Sequence, residues 1–121
     1  MKMKIVLLSL FAAMLLAAPM LVHASPDQPA SRRIDVTAKR FAFTPGEITL
    51  KKGEPVVLTL HSVDVPHGIR FRELGIEAKA VKGRPAELAF TPEKTGTFIG
   101  HCSVFCGSGH GTMTLTLHIV E

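Results

Sequence analysis

Short runs of apolar residues, broken every few positions by Gly, Pro and charged residues, dominate the chain from about residue 33 to its end. Ile34-Asp35-Val36, Phe41-Ala42-Phe43, Ile48-Thr49-Leu50, Val56 to Leu60, Ile69-Arg70-Phe71, Ala86 to Phe90, Thr97 to Ile99 and Thr112 to Val120 are rich in β-branched or aromatic residues and partly alternating. Pro45-Gly46, Lys52-Gly53-Glu54-Pro55, Lys82-Gly83-Arg84-Pro85 and Thr91-Pro92-Glu93-Lys94-Thr95-Gly96 separate them. This spacing predicts an all-β, antiparallel sandwich, and no segment in this part of the chain has a helical period. The last run shows the pattern best. Met113, Leu115, Leu117 and Ile119 share one parity, and Thr112, Thr114, Thr116 and His118 share the other, so Met113 starts on the face that turns into the core. Phe41, Phe43, Phe90 and Phe98 are expected to fill that core.

The N-terminus has a different pattern. Lys2 and Lys4 precede an apolar run from Ile5 through Leu16, followed by Pro19 and Val22-His23-Ala24. Charge, apolar stretch, helix breaker and small residues, in that order, predict a secretory signal peptide over residues 1–24, cut after Ala24. The competing expectation is a retained anchor over Ile5 to Val22, near the short end of what spans a bilayer. Residues 25–32, with Pro26 and Pro29 and no apolar period, are expected to form a flexible lead into a single domain at 33–121.

Removing the leader changes the charge picture. Two of the 14 Lys and Arg residues go with it, leaving 12 against 10 acidic residues, a net charge of +2. That excess is small and dispersed, and no basic run is interleaved with aromatics, so nucleic acid is not an expected partner. No segment after the leader is apolar enough to span a membrane.

The chemistry is concentrated in His101-Cys102-Ser103-Val104-Phe105-Cys106-Gly107-Ser108-Gly109-His110-Gly111-Thr112-Met113, which holds both cysteines of the chain. Thiolate, imidazole and thioether together are soft and borderline donors of the kind that select copper. Zinc would accept Cys and His but has little use for a thioether, and the paired CxxC spacing of structural zinc sites is absent. Gly107, Gly109 and Gly111 are expected to let the loop turn tightly, since positive φ costs Gly nothing. No Ser-His-acid arrangement suggests hydrolysis, and the chain is read as a copper-binding module, not an enzyme in itself.

Cys-Ser-x-x-Cys-Gly-x-x-His-x-x-Met resembles the ligand loop of the CuA centre in subunit II of the haem-copper oxidases and in nitrous oxide reductase, with six positions agreeing in identity and spacing. Upstream, Asp64-Val65-Pro66-His67 resembles the Asp-Val-x-His segment of the same family, which selects His67 over His61. The resemblance implies a cupredoxin-like Greek-key β-sandwich and two copper ions bridged by Cys102 and Cys106. It implies His67 on one copper and His110 on the other, Met113 as a weak axial ligand, and the Val104 carbonyl as the second weak ligand. It further implies an electron carrier with a redox partner protein such as a cytochrome or an oxidase, while the signal peptide implies a periplasmic or otherwise extracytoplasmic location. Departures from the family are also visible. Val104 stands where an acidic or amide residue is usual, and Gly68-Ile69 stands where an aromatic residue follows the first ligand His. The membrane hairpin usual before this domain is not found in the sequence. These features look like a free-standing relative of the oxidase subunit.

Other readings of the same residues stay open. An exported protein with two cysteines usually forms a disulfide, although a bridge across three residues closes a small loop and stabilises little. A mononuclear blue-copper site would use His67, Cys106, His110 and Met113 and leave Cys102 idle. A copper-delivery or buffering module for oxidase assembly would use the whole set, and fold alone does not separate carrier from chaperone. His61, His101 and His118 are expected at the surface or at strand ends.

Overall fold

The structure is a computed structural model and describes residues 30–121; the predicted signal peptide and most of the lead lie outside the described residues. Nine strands are formed: β1 (Arg32–Lys39), β2 (Ala42–Thr44), β3 (Glu47–Lys51), β4 (Val56–Ser62), β5 (His67–Phe71), β6 (Ile76–Ala80), β7 (Ala86–Phe90), β8 (Gly96–His101) and β9 (Thr114–Val120). The four-stranded sheet has the order β2-β1-β4-β7 and the five-stranded sheet β3-β9-β8-β5-β6. Among the described residues the only helical pieces are two short 3-10 turns, Arg72–Leu74 and His110–Thr112, and no helix is long and apolar enough to cross a membrane.

The all-β expectation holds, but the sheets are mixed and not purely antiparallel. β1 pairs parallel with β4, from Arg32↔Val56 to Ala38↔Ser62, and β3 pairs parallel with β9, from Glu47↔Thr116 to Lys51↔Val120. Parallel neighbours require a crossover between the sheets, and periodicity within a strand carries no trace of it. β6 was not expected either. Ile76-Glu77-Ala78-Lys79-Ala80 has low β propensity in its Ala, Glu and Lys, yet it pairs with β5 along its length, and Ala78 and Ala80 are buried. β1 begins at Arg32, so the expected lead gives way to strand one residue early.

The parity read from the last strand is borne out: Met113, Leu115 and Leu117 are completely buried and Ile119 nearly so, while Thr114, Thr116 and His118 are half-exposed. Val36, Val56 and Leu60 of the four-stranded sheet, and Leu50 and Phe71 of the same sheet as β9, are also among the most deeply buried side chains, each worth about 1.5–3 kcal/mol of transfer free energy. Phe43 and Phe98 are buried and Phe90 is half-buried against the core. Phe41 is likewise half-buried against the core and has a second task, described below.

Candidate metal centre

Five chain segments meet at one end of the sandwich. β5 starts there with His67, β8 ends there at His101, and the loop 102–113 spans the gap to β9. The loop closes at its neck, where Cys102 N–H donates to the Met113 carbonyl at 3.0 Å. The β4–β5 turn brings Asp64 to the same place, and the β1–β2 turn brings Arg40 and Phe41.

The residues expected to bind metal converge. Cys102 Sγ lies 3.8 Å from Cys106 Sγ, 3.9 Å from His67 Nδ1 and 3.2 Å from the Val104 carbonyl oxygen. Cys106 Sγ lies 3.6 Å from His110 Nδ1 and 3.8 Å from Met113 Sδ. The donor atoms of His67, Cys102 and Cys106 all fall within 4.8 Å of one another, and all three residues are buried. Both cysteines are free thiols in this structure. A separation of 3.8 Å is far beyond the ~2.05 Å of a disulfide. Two thiols, two imidazole nitrogens, a thioether and a carbonyl facing one small volume fit copper's preference for soft donors. His61 lies apart, with Nε2 2.9 Å from Asp35 Oδ1, and His118 pairs with Thr97 and Glu47 on the last strand.

His67 is held in one orientation. Its Nε2 lies 2.7 Å from Asp64 Oδ1, which leaves Nδ1 turned toward the thiols. Orientation of a ligand imidazole by a carboxylate on its far nitrogen is a common device of metal sites. Asp64 is itself fixed by the backbone N–H groups of Arg40 (2.8 Å) and Val65 (2.7 Å). Burial, the largest single influence on Asp64, pushes its pKa up; the two backbone N–H groups and the His67 imidazole outweigh it and hold the carboxyl at about 2. The Cys106 thiol moves the other way, raised to about 11 first by burial and then by its neighbour Cys102. A metal ion arriving here must displace a tightly held proton.

The loop glycines do not all serve the purpose expected of them. Gly107 has φ = 135° and so needs the freedom of Gly, but Gly109 has φ = −92°, which any residue adopts. What excludes a side chain at 109 is Phe41: a Cβ there would lie 2.5 Å from Phe41 Cδ2 and 3.0 Å from its Cβ. Gly111 has open space around it and no positive φ. Phe41 is thus the seat on which the loop rests, and the neighbouring Arg40 completes the clamp by donating from Nε to the Cys106 carbonyl at 2.9 Å. Gly68 has a related role. A Cβ at that position would strike Ser103 Oγ and approach Val104 Cγ2 to 3.2 Å, so the residue after His67 must be Gly for the loop to cover β5.

Asp64, Arg40, Phe41 and Gly68 were not expected as supports of the site. Only Asp64 left a usable signal, a carboxylate three residues before a His across a turn.

Comparison with known proteins places this geometry in context. The Cupredoxin-like domain family matches residues 7–115. Cytochrome c oxidase subunit 2 of Cereibacter sphaeroides is 38% identical over 66 residues, covering 54% of this chain and only 22% of that longer protein. Among solved structures, the periplasmic domain of subunit II of cytochrome oxidase from Bradyrhizobium japonicum superposes with a TM-score of 0.70 at 23% identity, over 78% of this chain and 87% of that one. Auracyanin A, a "blue" copper protein of Chloroflexus aurantiacus, gives 0.64 at 17% identity, over 75% of this chain and all of that one. At such identities the structural likenesses speak for the fold. The chain therefore belongs to the cupredoxin-like domain family and is similar to the periplasmic domain of cytochrome c oxidase subunit II, with a His67, Cys102 and Cys106 cluster consistent with a CuA-type site.

Proposed function

We propose that this chain is an extracytoplasmic electron-transfer protein holding two copper ions, with Cys102 and Cys106 shared between them, His67 and His110 each serving one, and Met113 and the Val104 carbonyl as weak ligands. The observation that carries the reading is the pair of buried, unbonded thiols 3.8 Å apart with an imidazole Nδ1 within 4 Å of each. One thiol with two histidines would suffice for a single copper, and the second buried cysteine would then have no task. Bound copper supplies a one-electron redox couple. The chain supplies a fixed geometry: His67 and Met113 are completely buried, Asp64 orients His67, and Arg40 and Phe41 seat the loop. Rigid ligands keep the structural change on electron transfer small.

The signal-peptide reading of residues 1–24 and the kinship with periplasmic subunit II domains support export, with 33–121 as the working domain. The partner is a redox protein such as a cytochrome or an oxidase. The mononuclear reading uses the same fold, that of the blue copper relative, and the copper-delivery reading uses the same ligands.

The deciding experiment loads the thiol-reduced protein with copper, counts the metal and records its paramagnetic-resonance spectrum. Two ions per chain and hyperfine structure from two equivalent copper nuclei are expected. One tightly held copper with single-nucleus hyperfine structure would replace the reading with the mononuclear one, and preferential retention of zinc would end the copper assignment. Equal binding with rapid loss to a copper chelator would favour delivery over electron transfer.

A further inference from the structure

β5 and β8 share a single paired position, Arg70↔His101, and beyond it the strands are joined only through the Ser103 N–H to the Gly68 carbonyl at 3.3 Å. The gap between them forms a groove of about 380 Å³ lined by Arg70, Arg72, His101, Cys102, Ser103 and His110. It brings two guanidinium groups and two imidazoles together and contains no carboxylate. Nearby acidic groups are directed elsewhere. Glu77 is taken up by Arg70 and by Lys79 at 3.2 Å, Asp64 is turned toward His67, and Glu73 lines a separate depression with Lys94. Arg72 is exposed and forms no ion pair among the described residues. Ser103 lines the groove, but its Oγ is buried over Gly68 and has no hydrogen-bond partner.

The groove also abuts the thiol cluster. His110 lines it while its Nδ1 lies 3.6 Å from Cys106 Sγ. Beside His110, at 5.5 Å between ring centroids, stands Phe105, a fully presented aromatic at 79% exposure. An exposed aromatic beside His110, on the rim of a groove that holds arginines, is the composition of a protein-docking surface, where such residues carry much of the binding energy. The groove runs on into a second depression of about 500 Å³ that shares Arg70 and Arg72 and is also lined by Glu77, already paired with Arg70 and Lys79, so the open surface is longer than one small anion requires and its unpaired cation is Arg72.

We infer that this face is the docking site for a protein partner that presents carboxylates, with Arg72 and His101 receiving them and Phe105 and His110 at the centre of contact. The inference rests on the electron-transfer reading, since it names the chemistry of that partner. It places the partner over His110, beside Cys106, and makes association depend on charge complementarity.

The test uses the reduced, metal-free protein, so the docking face is decided whatever the copper experiment shows. A hexaglutamate peptide is titrated into ¹⁵N-labelled protein at low salt. The amide shifts are expected to cluster at Gly68, Arg70, Arg72, His101, Ser103 and Phe105, and to vanish at about 0.5 M salt, where screening reaches a few ångströms. Arg72→Glu should weaken the binding about tenfold, whereas Lys51→Glu, at the far end of β3, should change it less than about twofold. Shifts scattered over lysines on every face, or unchanged in Arg72→Glu, overturn the inference. Inorganic phosphate saturating the same amides more tightly than the peptide also overturns it, because the groove would then be a small-anion pocket. Copper loading that fails while the clustered shifts persist would remove the electron-transfer reading and leave the acidic-partner surface standing.

Discussion

Gly109→Ala isolates the role of Phe41 in holding the metal loop. The backbone at 109 (φ = −92°, ψ = 10°) accepts Ala without torsional strain. The whole effect therefore comes from the new methyl, placed 2.5 Å from Phe41 Cδ2 and 3.0 Å from Phe41 Cβ. Carbon atoms rest at about 3.5–4.0 Å, so loop and ring must separate by roughly 1 Å. Overpacking of this kind costs about 1–3 kcal/mol. Restricting the unfolded chain returns about 0.4–1 kcal/mol, which leaves a net loss of about 1–2 kcal/mol. Urea unfolding of the reduced, metal-free protein measures it. Gly111→Ala, with nothing within 4 Å of the new methyl, is the control and should gain about 0.4–1 kcal/mol from the restricted unfolded chain alone. Phe41→Ala removes the obstacle, so the double variant with Gly109→Ala should show a favourable coupling of about 1–2 kcal/mol. If Gly109→Ala is as harmless as Gly111→Ala, or the coupling is zero, Phe41 does not seat the loop.

Further outcomes follow from the cluster. Cys102→Ser removes one shared thiol and leaves the His, Cys, His and Met set, so the variant should hold at most one copper with an electron localised on one nucleus; an unchanged metal count and spectrum would show that Cys102 is no ligand. His67→Ala should abolish or grossly alter the copper absorption while His61→Ala, whose side chain pairs with Asp35, leaves it nearly intact; the reverse result would mean the first ligand is misassigned. Ultraviolet titration of the metal-free protein should show Cys106 ionising near pH 11, against about 8.5 for an ordinary cysteine. Because the folded pKa is raised, the associated stability is complete below about pH 8.5 and is lost as pH rises toward 11; a folded-state midpoint near 8.5 would contradict the burial argument.

Much of this was legible in the residues, and the reasons for the rest are physical. Alternation marks a strand with one buried face, which is why β9 and the burial of Met113 could be read directly. β6 escaped because Ala78 and Ala80 bury small side chains in a segment whose Glu77 and Lys79 favour no strand. The parallel pairs escaped because register between distant strands is set by sandwich packing. That His67, Cys102, Cys106, His110 and Met113 would be brought together was legible through the resemblance of their spacing to a known ligand loop, and their side chains do converge. The supports of the loop were not legible. Arg40 and Phe41 lie more than 60 positions before Cys106 in the chain, and nothing local distinguishes a Phe that fills a core from one that seats a loop. Glycine misled for the same reason: the need at 107 is torsional, the need at 109 is spatial, and the letter is the same.

The neck between Cys102 and Met113 has one more consequence. Most of the donors hang from one contiguous stretch, and its two ends are tied by a hydrogen bond at the mouth of the β8–β9 hairpin. Length or composition can change inside that stretch without disturbing the strand ladder beneath it. An exchanged donor would thus be felt by the loop and its seat on Arg40 and Phe41 before the ladder, with His67 as the fixed post opposite. A scaffold arranged in this way lets the metal chemistry diversify faster than the fold.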